Sequence, residues 1–210
     1  MIRTVLCFGD SNTWGYATEP RPDGRYERDE RWPGVLQREL GPAWRVIEEG
    51  LNGRATVRDD PVEGADKNGK TYLLPCLTSH KPLDAVVIML GTNDLKARFN
   101  CSAWEIAQGV GVLVTTVLST PVGRNEGVPE VLVVSPPPTL AKFPSHAEMF
   151  AGDAAKSKDM AKHYRAVAAL HGVGFLDAGS VAKSSKIDGF HLDPDAHAAI
   201  GKAVAKRLRR

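Results

Sequence analysis

The chain of 210 residues carries a formal net charge of +2, with 42% hydrophobic and 25% charged residues, a composition typical of a globular protein. This length suits a single domain spanning residues 1–210, and such a domain can bury a core without disulfides or metal ions. The small net charge gives no reason to expect nucleic acid or a membrane surface as a partner, and no apolar run is long enough to span a bilayer.

The cysteines and the N-terminal segment bear on the cellular compartment. Three cysteines, Cys7, Cys76 and Cys101, form no CxxC pair, and two of them lie in apolar stretches typical of buried thiols. The apolar run after Met1 is too short for a signal-peptide core, and no cleavage motif follows it. We therefore expect a soluble protein of the reducing cytoplasm.

Short apolar runs alternate with helical patterns along the chain. Runs of about five apolar residues predict buried strands, and the segments between them show helical spacing of apolar residues. We predict strands at 4–8, 45–48, 85–90, 131–135 and 174–176. We predict helices at 33–40, 71–80, 104–118 and 152–171, of which 104–118 is expected to be well buried. A last helix begins with Asp193 as its N-cap and Pro194 at its first position, and runs to about residue 207.

This alternation predicts a doubly wound α/β domain with three layers, α/β/α. Its parallel five-stranded sheet is expected in the flavodoxin-like order 2-1-3-4-5. Long loops are predicted at 16–31, 59–70 and 136–151, and loops of this length in a compact domain usually have a function. Two of them are expected beside the polar clusters described next, where they could wall a pocket. Loop 16–31 fits a subunit contact or a solvated surface equally well.

The first strand ends in a cluster of small polar residues, Gly9-Asp10-Ser11-Asn12. Ligands of parallel sheets bind beyond the carboxyl ends of the strands. A helix that begins near Ser11 would offer backbone N–H groups and the positive end of its dipole to an oxyanion. On its own, however, this tetrapeptide is equally typical of an ordinary turn.

Two further clusters would share that edge of the sheet. Gly53 follows the second strand, and its N–H group could donate to an oxyanion because glycine lets the backbone approach a ligand closely. Asn93 follows the third strand in Gly91-Thr92-Asn93-Asp94 and offers a side-chain amide as a second donor. Alone, the glycine also fits a turn and the asparagine segment a helix cap.

Asp188 and His191 follow the fifth strand. An imidazole titrates near neutral pH, which makes His191 a candidate general base. A carboxylate three residues earlier reaches Nδ1 if the segment forms a turn, and that contact fixes the tautomer. A surface histidine in a loop is the alternative. In the predicted strand order, a hydroxyl, an amide, a carboxylate and an imidazole meet at one edge, as acyl transfer by a serine nucleophile requires.

Taken in order, these clusters resemble the sequence blocks of the GDSL or SGNH hydrolases. The first block appears as Phe8-Gly9-Asp10-Ser11-Asn12, the second as Gly53, the third as Gly91-Thr92-Asn93-Asp94 and the fifth as Asp188-Gly189-Phe190-His191. Segments 46–51, 133–138 and 176–181 are similar to the bacterial arylesterase and acyltransferase branch. Asn12 replaces the usual leucine, and Gly53 stands where some members of that branch carry alanine. Both departures bear on the shape of the pocket and so on substrate preference.

The resemblance implies the SGNH-hydrolase fold and a serine esterase that needs no cofactor and no metal ion. Ser11 would be the nucleophile and His191 the general base, oriented by Asp188. The oxyanion would be held by the backbone N–H groups of Ser11 and Gly53 and by the side chain of Asn93. The acyl-enzyme would pass its acyl group to water, to an alcohol or to hydrogen peroxide. The resemblance also implies a homo-oligomer, since members of that branch often form octamers.

The expected partner is a small-molecule ester. The candidate substrate-binding residues are Asp10, Asn12, Trp14, Phe150 and Phe190, with Lys96 and Phe99 as further pocket walls. A pocket capped by an oligomer would favour short acyl chains, so acetyl esters are the expected best substrates.

Three alternatives stay open. Loop 9–13 is rich in hydroxyl and amide groups, as in a phosphate- or flavin-binding module, although the carboxylate of Asp10 would repel phosphate. A metal site at Asp188, His191, Asp193 and Asp195 is a second alternative, but the last two acids are explained by the start of a helix and no second histidine cluster completes a site. A catalytically inactive member of the fold is the third.

Overall fold

The computed structural model describes residues 1–140 and 148–209. The predicted loop 136–151 therefore lies partly outside the described residues. The described strands form one parallel sheet in the order β2-β1-β3-β4-β5, which confirms the predicted 2-1-3-4-5 topology. The strands are β1 (Arg3–Gly9), β2 (Trp44–Gly50), β3 (Ala85–Met89), β4 (Glu130–Ser135) and β5 (Gly174–Asp177). Each boundary lies within two residues of the predicted one.

Helices cover both faces of the sheet. They are α1 (Ser11–Trp14), α2 (Trp32–Leu40), α3 (Gly69–His80), α4 (Ala103–Leu118), α5 (Asp153–Leu170) and α6 (Pro194–Leu208). One face of the sheet buries its apolar side chains against α3, α4 and α5, and the other against α2 and α6. This gives the predicted three layers. No helix among the described residues is both long and apolar enough to cross a membrane.

Two helices show details that the sequence did not predict. Helix α4 buries most of its apolar side chains, as predicted, but Trp104 is 56% and Val112 39% exposed. Asp193 occupies the N-cap position of α6, but its side chain makes no capping hydrogen bond. Its Oδ1 instead accepts a hydrogen bond of 2.7 Å from the hydroxyl of Thr18 in the long loop after α1. Asp193 and Pro194 thus begin α6 as predicted, while the carboxylate of Asp193 binds the loop after α1 instead of the helix backbone.

The register of the sheet brings the polar clusters together. Gly9, the last residue of β1, pairs with Gly50 at the end of β2 and with Met89 at the end of β3. Because all strands are parallel, the turns that follow these three residues leave the sheet at one edge. The fold therefore places Ser11, Gly53 and Asn93 on neighbouring turns.

Candidate active site

Ser11 lies at the start of a one-turn helix that follows β1 directly. Asp10 is the N-cap of this helix, and its Oδ1 accepts a hydrogen bond of 2.9 Å from the backbone N–H of Asn12. Gly15 ends the helix in the left-handed conformation, at φ +89°, which glycine adopts without strain. Ser11 is 7% exposed, so its hydroxyl is sheltered beside the N-terminal end of the helix.

A chain of two hydrogen bonds joins Ser11 to the turn after β5. His191 Nε2 lies 2.9 Å from Ser11 Oγ, and His191 Nδ1 lies 2.7 Å from Asp188 Oδ2. All three side chains are buried. If Nδ1 carries the proton shared with Asp188, Nε2 is free to accept the proton of the serine hydroxyl.

The turn itself fixes the carboxylate of Asp188. Its Oδ1 accepts hydrogen bonds from the backbone N–H groups of Phe190 (3.1 Å) and His191 (3.0 Å). Gly189, at φ +92°, lets the chain turn between acid and base. Burial raises the pKa of Asp188, but the hydrogen bond and charge of His191 together with the two backbone N–H groups outweigh this effect, so the pKa lies below its usual range. Asp188 is therefore an ionised partner for an imidazolium.

The turns after β2 and β3 are held against each other. Asn93 Nδ2 donates a hydrogen bond of 3.1 Å to the carbonyl of Arg54, which leaves its second amide proton available. Gly53 has φ +81°, a conformation that glycine favours. No hydrogen bond among the described residues uses the backbone N–H groups of Ser11 or Gly53. These N–H groups and the Asn93 amide are therefore candidate donors to an oxyanion.

Asp94 ties the same two turns together from inside the protein. It is buried, and its carboxylate accepts hydrogen bonds from the backbone N–H and the hydroxyl of Thr56. Burial raises its pKa above the usual range, and the two bonds to Thr56 partly offset this effect. Asp94 thus links the turn after β3 to the segment after β2 rather than capping the next helix.

Two of the predicted substrate-binding residues are largely internal to the turn. The carboxylate of Asp10 is 2% exposed and caps α1. Asn12, also 2% exposed, donates a hydrogen bond of 3.1 Å from Nδ2 to the carbonyl of Phe190. This bond connects the turn after β1 to the turn that holds His191. In this structure the side chains of both residues thus stabilise the turns that carry Ser11 and His191.

The predicted aromatic residues surround His191 to different degrees. The ring centroids of Phe190 and His191 lie 4.3 Å apart, and those of Phe150 and Phe190 lie 4.8 Å apart. Both phenylalanines belong to the apolar core, with exposures of 2% for Phe150 and 8% for Phe190. Trp14 is partly exposed, and the guanidinium of Arg25 lies 4.7 Å from its ring centroid. Phe190 is therefore the predicted aromatic residue in direct contact with the base.

The two further predicted wall residues lie near a cluster of charges. Lys96 is 2% exposed, and its ammonium group contacts Glu63 at 2.5 Å and Asp60 at 3.4 Å. Phe99 is partly buried against the core, with the guanidinium of Arg98 5.7 Å from its ring centroid. The ammonium group of Lys96 is thus engaged in ion pairs in this structure.

Sequence reasoning missed Tyr16. Its ring stacks on the imidazole of His191 with ring centroids 4.2 Å apart and an interplanar angle of 18°. Tyr16 is 40% exposed, so it forms an outer cover over the base. The signal available in the sequence was an aromatic residue directly after Gly15, the residue that ends the nucleophile turn.

Comparison with known proteins gives consistent matches over nearly the whole chain. The model of the GDSL-like lipase/acylhydrolase family matches residues 7–199. The solved structure of Est24, a carbohydrate acetylesterase from Sinorhizobium meliloti, is 43% identical, with a TM-score of 0.92 and coverage of 99% of this chain and 98% of that chain. The native aryl esterase of M. smegmatis gives the same values.

A further solved structure is similar to the same degree, a more distant one shares the fold, and one comparison gave no match. A putative arylesterase from Agrobacterium tumefaciens is 42% identical, with a TM-score of 0.91 and coverage of 99% of both chains. A G-D-S-L family protein from Veillonella parvula, at 14% identity and a TM-score of 0.69, shares the fold. No match was found among curated proteins.

Proposed function

The chain belongs to the GDSL-like lipase/acylhydrolase family and is a serine esterase, and we propose that Ser11, His191 and Asp188 carry out its ester cleavage. The observation that carries this assignment is the chain of hydrogen bonds from Ser11 Oγ through His191 to Asp188, at 2.9 Å and 2.7 Å. Each of these atoms has the partner that the role requires.

In the proposed first step, Ser11 Oγ attacks the carbonyl carbon of the ester. His191 Nε2 accepts the hydroxyl proton and later delivers it to the leaving alcohol. Asp188 stabilises the imidazolium that forms in between. The products of this step are the free alcohol and an acyl group bound to Ser11.

The negative charge that develops on the carbonyl oxygen needs donors already in position. We assign this role to the backbone N–H groups of Ser11 and Gly53 and to the side-chain amide of Asn93. The bond from Asn93 to the carbonyl of Arg54 supports the assignment, because it fixes the amide before substrate arrives. Preorganised donors of this kind stabilise the transition state by several kcal/mol, or about 100- to 1000-fold in rate for each donor.

The proposed substrates are esters with short acyl chains, acetyl esters above all. Two observations support this proposal. Tyr16 and Phe190 both contact the imidazole of His191 and so restrict the space around the base. The similar proteins named above are described as a carbohydrate acetylesterase and an aryl esterase. For the second step we propose water as the acceptor, with an alcohol or hydrogen peroxide as alternative acceptors of the same acyl group.

We also propose that the enzyme is a cytoplasmic homo-oligomer. The location is supported by Cys7, Cys76 and Cys101, which are buried free thiols as expected in a reducing compartment. Exposed apolar side chains on the outer side of α4, Trp104 and Val112, support a contact between subunits. Light scattering of the purified protein measures the number of subunits directly.

The test of the proposal is hydrolysis of p-nitrophenyl acetate by the wild type and by Ser11→Ala. We expect the variant to lose about 10⁴-fold or more in kcat/KM with the same circular dichroism spectrum and subunit number. The matched control is Ser180→Ala, which removes an exposed serine hydroxyl that is distant from Ser11 in the sequence. This variant is expected to keep full activity. Equal activity of Ser11→Ala and wild type would overturn the assignment of the nucleophile.

A further inference from the structure

A second cluster of reactive side chains lies outside the proposed catalytic residues. Glu49 in β2 and Cys76 and His80 in α3 each offer one ligand atom, and these three atoms all lie within 4.8 Å of one another. None of them has a role in the ester cleavage proposed above.

The secondary structure explains why these side chains meet. Cys76 and His80 are four residues apart on α3, so their side chains project from the same face of the helix. Two histidines at this spacing on one helix hold zinc in metalloproteases, which shows that the spacing suits a shared ion. Glu49, near the carboxyl end of β2, faces them, with Oε1 2.7 Å from His80 Nε2.

We propose that Glu49, Cys76 and His80 form a zinc-binding site. A thiolate, an imidazole and a carboxylate are the three ligand types that zinc takes in proteins, and the thiolate disfavours magnesium and calcium. Three protein ligands leave the fourth position of a tetrahedral ion for water or another small ligand. A cavity of about 420 Å³ meets the cluster at Glu49, and Arg54 and Tyr72 are also part of its lining.

The dimensions of the cluster fit such an ion. Zinc–ligand bonds of about 2.0–2.3 Å in tetrahedral geometry place the ligand atoms about 3.5 Å apart. To bind the ion, atoms that now lie within 4.8 Å of one another would shift to that separation, and the bond between Glu49 and His80 would be exchanged for bonds to the ion. The hydroxyl of Tyr72 donates to Glu49 Oε2 at 3.2 Å and would hold the carboxylate in place from behind.

Solvent reaches the cluster from one side. Cys76 is 2% exposed, whereas the side chains of His80 and Glu49 are 29% and 18% exposed. An ion can therefore enter past the histidine and the carboxylate and reach the sulfur last. The zinc–sulfur bond forms as the thiol proton leaves to solvent, and no electron is transferred.

The same residues do not suit a thiol nucleophile. Burial and the charge of Glu49 raise the pKa of the Cys76 thiol to about 12, so the free enzyme holds it as an inert thiol. A bound dication changes that environment, because a coordinating thiol is deprotonated by the charge of the ion itself. The raised pKa thus argues only against a thiol nucleophile, and the proposed role as a ligand set follows from the geometry of the three side chains.

The test uses the full-length protein, freed of any affinity tag and treated with a chelator. Titration with Cd²⁺ is followed by the ultraviolet absorption of the cadmium–thiolate bond, and Zn²⁺ affinity by competition with a coloured chelator. We expect one equivalent of either ion per chain. Cys76→Ser is expected to abolish the absorption band, and His80→Gln to weaken zinc binding more than about 100-fold.

Matched controls separate this site from the rest of the chain. Cys101→Ser and His171→Gln, a buried thiol and a histidine outside the cluster, are expected to bind both ions as the wild type does. Ser11→Ala is expected to bind them as well, whether or not it hydrolyses esters. Circular dichroism reports the folding of each variant, and if Cys76→Ser fails to fold, the partly exposed His80→Gln decides. Lack of stoichiometric binding by the wild type, or binding unchanged in His80→Gln, would overturn the proposal.

Discussion

The ring of Tyr16 lies almost parallel to the imidazole of His191, with centroids 4.2 Å apart. The ring of Phe190 also contacts His191, with centroids 4.3 Å apart and an interplanar angle of 47°. Tyr16 is positioned by the end of α1, since its backbone N–H donates to the carbonyl of Ser11 at 2.9 Å. The residue that covers the proposed base is therefore fixed by the turn that carries the proposed nucleophile. This arrangement suits an imidazole that becomes positively charged during the reaction, because an aromatic face attracts a cation.

Replacing Tyr16 by alanine is expected to slow ester cleavage without stopping it. An aromatic face contributes about 0.5–2 kcal/mol to a nearby cation, which corresponds to a loss of about 2- to 30-fold in kcat/KM for Tyr16→Ala. Tyr16→Phe keeps the ring and is expected to retain activity within about twofold. Both variants are compared by initial rates on p-nitrophenyl acetate. If Tyr16→Phe is as slow as Tyr16→Ala, the hydroxyl rather than the ring is responsible.

Asn93→Ala tests the proposed side-chain donor to the oxyanion. The variant loses a bond that matters most in the transition state, so kcat is expected to fall about 100- to 1000-fold while KM changes little. The bond to the carbonyl of Arg54 is lost as well, so thermal unfolding is measured alongside the kinetics. A large rise in KM with unchanged kcat would show that Asn93 binds the ground state instead.

The strands β1, β3 and β4 follow from the sequence because each contains a short apolar run that is buried on both faces, whereas β2 and β5 are only partly buried. The alternation of strands and helices predicts the doubly wound order, and the pairing of Gly9 with Gly50 and Met89 then brings the turns after β1, β2 and β3 to one edge. Because Ser11 and His191 both follow strands of a parallel sheet, the sequence predicts that they lie at the same edge. Their separation of 2.9 Å depends on the segment between β5 and His191, whose path the apolar pattern does not give.

Contacts between distant loops could not be anticipated in this way. Thr18 bonds to the carboxylate of Asp193 because the long loop after α1 lies against the start of α6. Tyr16 stacks on His191 from the end of α1, where its backbone N–H bonds to the carbonyl of Ser11. The sequence likewise does not predict that Trp104 is exposed on an apolar helix. The spacing of apolar residues along a helix does not tell which of its faces another element covers. The first contacts depend on loop conformation and the exposure of Trp104 on which elements pack beside α4, and the pattern of apolar residues encodes neither.

Gly9→Ala is expected to damage both stability and activity. A methyl group at this position would lie 1.9 Å from Thr13 Oγ1 and 2.8 Å from the carbonyl oxygen of Met89, so α1 must move. Overpacking of this kind costs about 1–3 kcal/mol, and displacement of α1 carries Ser11 away from His191. The measurements are urea unfolding and kcat/KM.

The matched control is Gly111→Ala on α4. Its methyl group would meet its nearest neighbours, Val167 and His171, at 3.4 Å and 3.5 Å, which are ordinary contacts. In a helix interior, alanine is more favourable than glycine by up to about 1 kcal/mol. This variant is therefore expected to be at least as stable as the wild type. Equal effects of the two substitutions would contradict the steric explanation for Gly9.

Asp10→Asn is expected to stabilise the protein at alkaline pH. Burial, reinforced by the charge of Asp94 and partly offset by the bond from Asn12, raises the pKa of Asp10 to about 7. Between the pKa of an unfolded aspartate, about 3.9, and this value, the folded state binds more protons than the unfolded state, so the free energy of unfolding falls as pH rises.

Asparagine at position 10 would cap α1 as well as aspartate does, and it carries no charge. At pH 8 we expect the variant to be more stable than the wild type by up to about 4 kcal/mol, and at pH 4 the difference is expected to vanish. Urea unfolding at both pH values measures this, with the exposed Asp23→Asn as control. A stability difference that does not change with pH would show that Asp10 is not the titrating group.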